Sequence, residues 1–458
     1  MIGGSTNIII TNNNFSNLAG SGVYLSSVNT VNISGNYFVN CGDSSYAGGI
    51  EIYRCDNLWV ENNNFSYSRY GLSLRGTATG PDYCTNLTLR NNEIWNVDII
   101  GIYLVEYGEY CNISYNTIIG SSSHGIHISN MQNNHRLENN NISAGSGTGM
   151  YITSGSHEIY NNTLWGNTNN AIWLNGAGSG NMVINNTIYT TATGILLFGS
   201  SSSHIEYNKV YGAASYGIYL ESGISNAIIG NNTLDGPSYG IYMSVTGGGN
   251  IIYNHNFTDC SDYGLYVTEG TPNVNWFIFE YSLVENSPCR LEGVLSIFSS
   301  GEMHWINSDL TLSPSSNGAN YIDVNPGNAE LYISDGCVFD SDTNYNYDFW
   351  VDGYLRVENS TISQAGYSGG GSRGIYLTTD GNFFWNATIQ NGGSHGIFGT
   401  GADNTHIFYS NITNCAEFAL LVDGSNNTYL GNNITNCAYG ICVGGYDIWV
   451  LDLSLIHI

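Results

Sequence analysis

One phrase returns along most of this chain, and its period leaves few folds open. The copy at Ala227–Met243 reads AIIGNNTLDGPSYGIYM. Ile228, Ile229 and Leu234 flank a polar corner, Asn231-Asn232-Thr233. A polar bend, Gly236-Pro237-Ser238, then leads into a second apolar strand, Gly240-Ile241-Tyr242-Met243. Aligned on the apolar residue after the corner, copies fall at Phe15, Phe38, Phe65, Ile94, Ile118, Ile142, Leu164, Ile188, Val210, Leu234 and Phe257, in steps of 22–29 residues. Short alternating strands at that period, without helical spacing, predict an all-β parallel solenoid. One turn cannot bury its apolar face alone, whereas stacked turns bury a continuous column.

The Asn pairs suit the corners. Asn enters the left-handed backbone region more readily than other non-glycine residues, and stacked amides can bond one another into a ladder. Many pairs fall in Asn-x-Ser/Thr sequons, which such corners create by themselves. Between residues 268 and 372 the phrase changes to the form of Gly353–Ile362, GYLRVENSTI. The apolar column continues there through Leu283, Leu310, Phe339 and Ile362, then Ile389, Ile412 and Ile434. The expected organisation is regular coils over 1–267, divergent coils with longer loops over 268–372, regular coils over 373–450, and a non-repeat tail over 451–458. The tail's Leu453–Ile458 resembles translated adapter sequence, so the chain reads as part of a longer protein. Met1 leads straight into a repeat with no signal-peptide pattern, and no apolar run is long enough to span a membrane. Nine Lys+Arg against 36 Asp+Glu give a formal charge of −27, which argues against nucleic acid as a partner.

These phrases, Asn231-Asn232-Thr233-Leu234 with Gly240-Ile241-Tyr242-Met243 and their copies, resemble the right-handed parallel β-helix superfamily in its NosD-like and pectate-lyase-like branch. The resemblance implies a right-handed parallel β-helix of about 18 coils, each of 22–29 residues. It implies no single function, because the superfamily holds polysaccharide lyases, glycoside hydrolases, phage tailspikes, adhesins and a periplasmic protein linked to copper-site assembly. Ser123-His124-Gly125 and Ser394-His395-Gly396 resemble the His turn of polygalacturonase-like members, but the accompanying Asp pair and Arg-x-Lys strand are missing. Both histidines instead share a column with Tyr70, Tyr216, Tyr239, Tyr263 and Tyr439.

Five patterns carry candidate chemistry. The coils around residues 51–98 hold the richest charge mixture, and if the chain is an enzyme its site falls there, on Arg75, Arg90, Glu93 and Asp98, with the loop Gly76–Tyr83 walling a cleft. The middle residue of each Gly-led strand faces outward: Tyr103, His127, Tyr151, Trp173, Leu196, Tyr219, Tyr242 and Tyr266, then Tyr376 and Phe398. Of these, Tyr103, Tyr151, Trp173, Tyr219, Tyr242 and Tyr266 are the candidate carbohydrate-binding residues. Self-stacking that stiffens the sheet is the stronger reading of the same column, and both can hold at once. The acidic run Asp340–Asp348 sets Asp340, Asp342, Asn344 and Asp348 at the alternate spacing of a Ca²⁺ loop, without the Gly and bidentate Glu of an EF-hand. His124–His135, with Met131, is a weaker copper candidate. Cys55 with Cys84, and Cys415 with Cys437, occupy equivalent positions in adjacent coils, within disulfide reach. Such bridges would place the chain outside the cytoplasm.

The expected function is a secreted, cell-surface or periplasmic β-helix rod, a monomer within a longer chain. It would be non-catalytic and present a face to a polysaccharide or surface glycan. The alternatives are a polysaccharide lyase or glycoside hydrolase, and a NosD-like copper accessory protein.

Overall fold

The computed structural model describes residues 6–42, 47–75, 84–105, 108–129, 134–153, 155–176, 178–190, 192–244, 247, 249–267, 274–291, 293–298, 300–314, 316–366 and 374–456. Among them no residue is helical. The chain forms two compact units: Met1–Asn232 with Gly236–Ser238 and Ser244–Gly247, and Thr233–Asp235 with Tyr239–Met243 and Gly248–Ile458.

The first unit repeats one coil of three strands. His135–Glu138 lies on a first sheet, Asn141–Ser143 on a second and Thr148–Ile152 on a third. The next coil places His157–Tyr160, Thr163–Asn167 and Asn170–Asn175 beside them, all parallel. The apolar residues stack in register: Leu137 on Ile159, Ile142 on Leu164, Met150 on Ile172. All six are fully buried, so the inward columns of the three sheets form one core. The Gly opening each third strand is a packing requirement. A Cβ on Gly125 would collide with Ile142 Cγ2 and the Gly149 carbonyl.

The corner between first and second strands carries the predicted amide ladder. A residue with positive φ (Asn139 at 55°, Asn161 at 55°, Asn185 at 56°) turns the chain, and the Asn after it points inward. Asn140 Nδ2 donates to Asn162 Oδ1 at 2.9 Å, and Asn162 Nδ2 donates to Asn186 Oδ1 at 3.0 Å. Each amide oxygen also accepts the backbone N–H of the preceding rung, as Asn162 Oδ1 does from Asn140 at 2.9 Å. Each Nδ2 further donates to a first-sheet carbonyl, Asn162 to Leu137 at 2.9 Å. The pattern runs from Asn36 to Asn232. One side-chain type thus satisfies buried donors and acceptors that the turn strips from the ladder.

The second unit begins with the same arrangement and then changes it. Ile251–Tyr253, Asn256–Thr258 and Tyr263–Val267 are its first-, second- and third-sheet strands, with the Asn254 corner between the first two. Val274–Ile278 pairs beside Ile251–Tyr253, and Tyr281–Glu285 follows on the second sheet. From there the left-handed Asn corner lies between second and third strands, at Asn286, Asn307 and Asn359. The expected single apolar column is therefore two columns. Phe257 continues to Val284 on the second sheet, while Leu283 faces outward. Leu310, Phe339, Ile362, Ile389, Ile412 and Ile434 stack on the third sheet. Spacing misplaced them because an added strand keeps the alternation while moving the phrase to the next face. At the chain's end, Ser454–Ile456 stacks in register on Asn433–Thr435.

Candidate functional site

The outward column of the first unit's third sheet runs, in register, through Tyr24, Glu51, Ser73, Tyr103, His127, Tyr151, Trp173, Leu196 and Tyr219. The predicted binders Tyr103, Tyr151, Trp173 and Tyr219 are all half-buried. Their ring geometry divides them. Tyr103, His127, Tyr151 and Trp173 succeed one another at centroid distances of 4.7–5.0 Å with interplanar angles of 42–53°. Near-parallel rings back part of the series, Tyr70 on Tyr103 at 5.6 Å and 15° and His124 on Tyr151 at 4.9 Å and 25°, and each of the four is half-buried. Leu196, buried against the sheet, separates this quartet from Tyr219. His124 adds a second imidazole, 5.1 Å from His127 and 4.9 Å from Tyr151. Burial lowers the pKa of His124, and burial followed by the neighbouring His124 lowers that of His127 to about 4. At neutral pH both rings are uncharged members of an aromatic surface.

A charged cluster stands at the near end of the column. Glu51 is buried, ion-paired to Arg75 and accepting from Ser21 Oγ at 2.8 Å. The Arg54 guanidinium lies 4.8 Å from the centre of the Tyr53 ring. Of the four charged residues expected to converge, only Arg75 is here. Arg90 lies on the first sheet, 5.8 Å over the Tyr115 ring. Glu93 lies on the second sheet, accepting from Asn64 Nδ2 at 3.2 Å, and Asp98 is exposed in the bend that follows. Arg90 and Glu93 thus fall on other faces of the coil, and Asp98 at the corner before the third-sheet strand Ile100–Val105. Glu51, not among those four, is the acid that joins Arg75, and the signal for it was its place in the aromatic column. The expected cleft wall Gly76–Tyr83 and Met131 lie outside the described residues.

In the second unit, Tyr242 and Tyr266 stack at 5.3 Å and 12°, so each gives one face to the other. Arg290 follows in register beside Tyr266, buried, with its guanidinium 5.5 Å from that ring. Tyr376 and Phe398, expected in the same column, lie on the first sheet in register with Trp350, because the phrase has moved by one face. His395 is likewise on that side, bonded to Ser394 Oγ at 3.1 Å and 3.4 Å from a Glu417 oxygen.

The acidic run is partly tied up by protein groups. Asp342 Oδ2 accepts from Arg290 Nε at 3.1 Å and from Ser313 Oγ at 2.8 Å. Asp340 Oδ1 accepts the Ser341 N–H at 2.8 Å, Asp348 is buried, and Asn344 is exposed. Among the described residues no group of three His, Cys, Asp or Glu side chains is arranged to hold a metal ion. All ten cysteines are free thiols. Cys55 N–H donates to Cys84 Sγ at 3.2 Å, and Cys415 N–H to Cys437 Sγ at 3.4 Å, so both expected pairs stand one above the other. Among the described residues no helix is long and apolar enough to cross a membrane.

A family model described as "Right handed beta helix region" matches residues 130–286 and 297–448. A second, described as "Periplasmic copper-binding protein (NosD)", matches residues 44–175. No curated protein matches the chain. Among solved structures, the chain is similar to the N-terminal fragment of bacteriophage Phi29 gene product 12, at 12% identity and TM-score 0.31, covering 98% of this chain and 82% of that one. It is also similar to the A-module of the Azotobacter vinelandii mannuronan C-5 epimerase AlgE6, at 13% identity and TM-score 0.31, covering 79% and 90%. A third is the PL6 family alginate lyase AlyGC, at 10% identity and TM-score 0.30, covering 98% and 97%.

Proposed function

The chain belongs to the right-handed β-helix family, and from that premise we propose that it is a non-catalytic, extracytoplasmic carbohydrate-binding scaffold. The third sheet of its first unit is the binding face. The observation that carries this reading is the tilt of the Tyr103, His127, Tyr151 and Trp173 rings, at 42–53° between neighbours. A flat parallel sheet holds these rings in line, and pyranose rings present apolar faces of matching size. The placement of Arg90 and Glu93 on other faces is the reason for placing binding ahead of catalysis.

Replacing Tyr103, Tyr151 and Trp173 together by Ala tests it. Retention of the protein on immobilised polysaccharides is expected to fall by roughly tenfold or more, the size of losing central aromatic anchors. Unchanged retention would sink the assignment to this sheet. A polysaccharide lyase or glycoside hydrolase is the second reading, favoured by one observation: the buried Glu51 and its Arg75 partner adjoin the aromatic column. Release of reducing ends or unsaturated uronates from a polysaccharide panel, lost in Glu51→Gln, would replace the first reading by the second.

A further inference from the structure

An open aromatic surface of the first unit lies on its second sheet. The outward column there runs through Ser66, Trp95 and Ile119, and further along through Trp165, Tyr189 and Tyr211. Trp95 is 37% exposed, Trp165 39% and Tyr189 49%, whereas every ring of the third-sheet quartet is more deeply buried. Trp165 Nε1 donates to Asn141 Oδ1 at 2.7 Å. Asn141 is the register partner of Thr163, one coil back and two positions to the side. To reach it the indole must lie across the sheet rather than stand on edge. Among the described residues no aromatic ring stacks on Trp165 or Trp95. Tyr189 is stacked only on its far side, by Tyr211 at 5.2 Å and 17°.

Two further features open and define this surface. The turn after Trp165 passes through Gly166 and that after Tyr211 through Gly212, both with positive φ, so these two positions add no side chain beside their rings. On the other edge stands a rank of Thr117, Asn141, Thr163 and Thr187, closed at its ends by Glu93 and Lys209. The rank between those ends offers hydroxyl and amide groups and no charge. A sugar needs this combination of an unoccupied ring face with neutral donors and acceptors beside it. The chain carries a formal charge of −27, which disfavours a polyanionic occupant.

We propose that the second sheet of the first unit, centred on Trp165 and Tyr189, is a separate binding site for an extended neutral polysaccharide. Trp165 supplies the stacking platform, Tyr189 the next contact along the coil axis, and the Thr/Asn rank the polar contacts. The proposal does not need the third-sheet reading.

Native affinity electrophoresis of the full chain through gels containing hydroxyethylcellulose, galactomannan or xyloglucan tests it, with alginate as the charged probe. Retardation is expected in at least one neutral gel, and it should persist at high salt, where exposed charge pairs are screened. Trp165→Ala with Tyr189→Ala should weaken it by roughly tenfold, as for loss of interface anchors. Tyr103, Tyr151 and Trp173 changed to Ala should leave this binding in place, which separates the two faces. Both Trp165 and Tyr189 are solvent-facing, and unchanged circular dichroism will certify the fold. A second measurement avoids the double variant altogether: the glycan that retards the protein should change its tryptophan fluorescence, and Trp165→Phe should remove most of that change. Absence of retardation in every neutral gel, retardation by alginate alone, or equal retardation of the Trp165/Tyr189 variant would overturn the proposal.

Discussion

The first unit and the late coils of the second solve one problem with different chemistry on different corners. In the first unit, amides from Asn36 to Asn232 stack at the turn between first and second strands. In the second, the run from Cys260 onward sits between second and third strands and its acceptors are mostly smaller, while Asn427 still takes the Thr405 N–H between first and second at 2.7 Å. Cys260 N–H donates to Ser287 Oγ at 3.0 Å, Ser287 to Ser308 Oγ at 2.8 Å, and Ser308 to Cys337 Sγ at 3.3 Å. Ser410 then donates to Asn432 Oδ1 at 2.9 Å. A hydroxyl or thiol can accept one rung's N–H and return one hydrogen, whereas an amide also reaches the neighbouring amide and a carbonyl. The contact that packs the Gly moves as well. A Cβ on Gly396 would collide with Ile412 Cγ2 on the third sheet, as one on Gly125 would with Ile142 on the second. The phrase is therefore a portable unit of corner, core residue and Gly, and a single inserted strand reassigns the face it occupies.

The contrast is open to attack, beginning where the effect should be largest. Asn162→Ala removes the acceptor for two Asn140 donors and the donor to the Leu137 carbonyl, all buried. It should cost about 3–5 kcal/mol, as several unsatisfied buried groups do. Hydrogen exchange at the Asn140 amide would report it, and unchanged protection would break the amide account. Oxidation of the late coils should act in the opposite direction. Bonding to Cys415 lowers the Cys437 thiol, which favours it as the attacking partner. Oxidised glutathione should close the Cys415–Cys437 bridge with a gain of about 3 kcal/mol. A thiol titration that does not fall on oxidation refutes this.

Ser308→Ala should cost less than the Asn change. It loses one accepted N–H and one donated bond to the Ile306 carbonyl at 2.9 Å, worth about 1–3 kcal/mol in denaturant melts. A cost equal to that of Asn162→Ala would erase the distinction between the two ladders. The smallest effect is on acidification. His127, held at about 4, binds fewer protons folded than unfolded, where its value is near 6.5. Stability from this group is complete above about pH 6.5 and is lost as pH falls toward about 4. His127→Phe should therefore flatten the acid limb of a pH–stability curve that begins in this window, and an unchanged limb would exclude the imidazole as its source.

Much of this was legible before any coordinates. The period of Phe15 to Phe257 predicts the coils, the Asn pairs predict the ladder, and the Gly-apolar-x-apolar strands predict a strand whose middle residue faces outward. The candidate site was legible only in part. Tyr103, Tyr151 and Trp173 do align on one face, but whether their rings tilt or stack is a matter of packing with neighbours such as His124. Arg75 and Arg90 lie fifteen residues apart in the chain and on different sheets, a separation that depends on how many strands intervene. The exposure of Trp165 is not legible in spacing, because it follows from the Gly166 turn and a bond to Asn141.

By itself the sequence determined the solenoid, its coil period and the residues that turn and fill it, because each of those depends on local alternation and on a conformational preference of single residues. The tertiary structure alone decided which face each phrase occupies and which rings meet solvent. Those depend on the number of strands per turn and on contacts between coils, and neither leaves a trace in spacing. Tyr376 belongs with Trp350 rather than with Tyr266 for that reason.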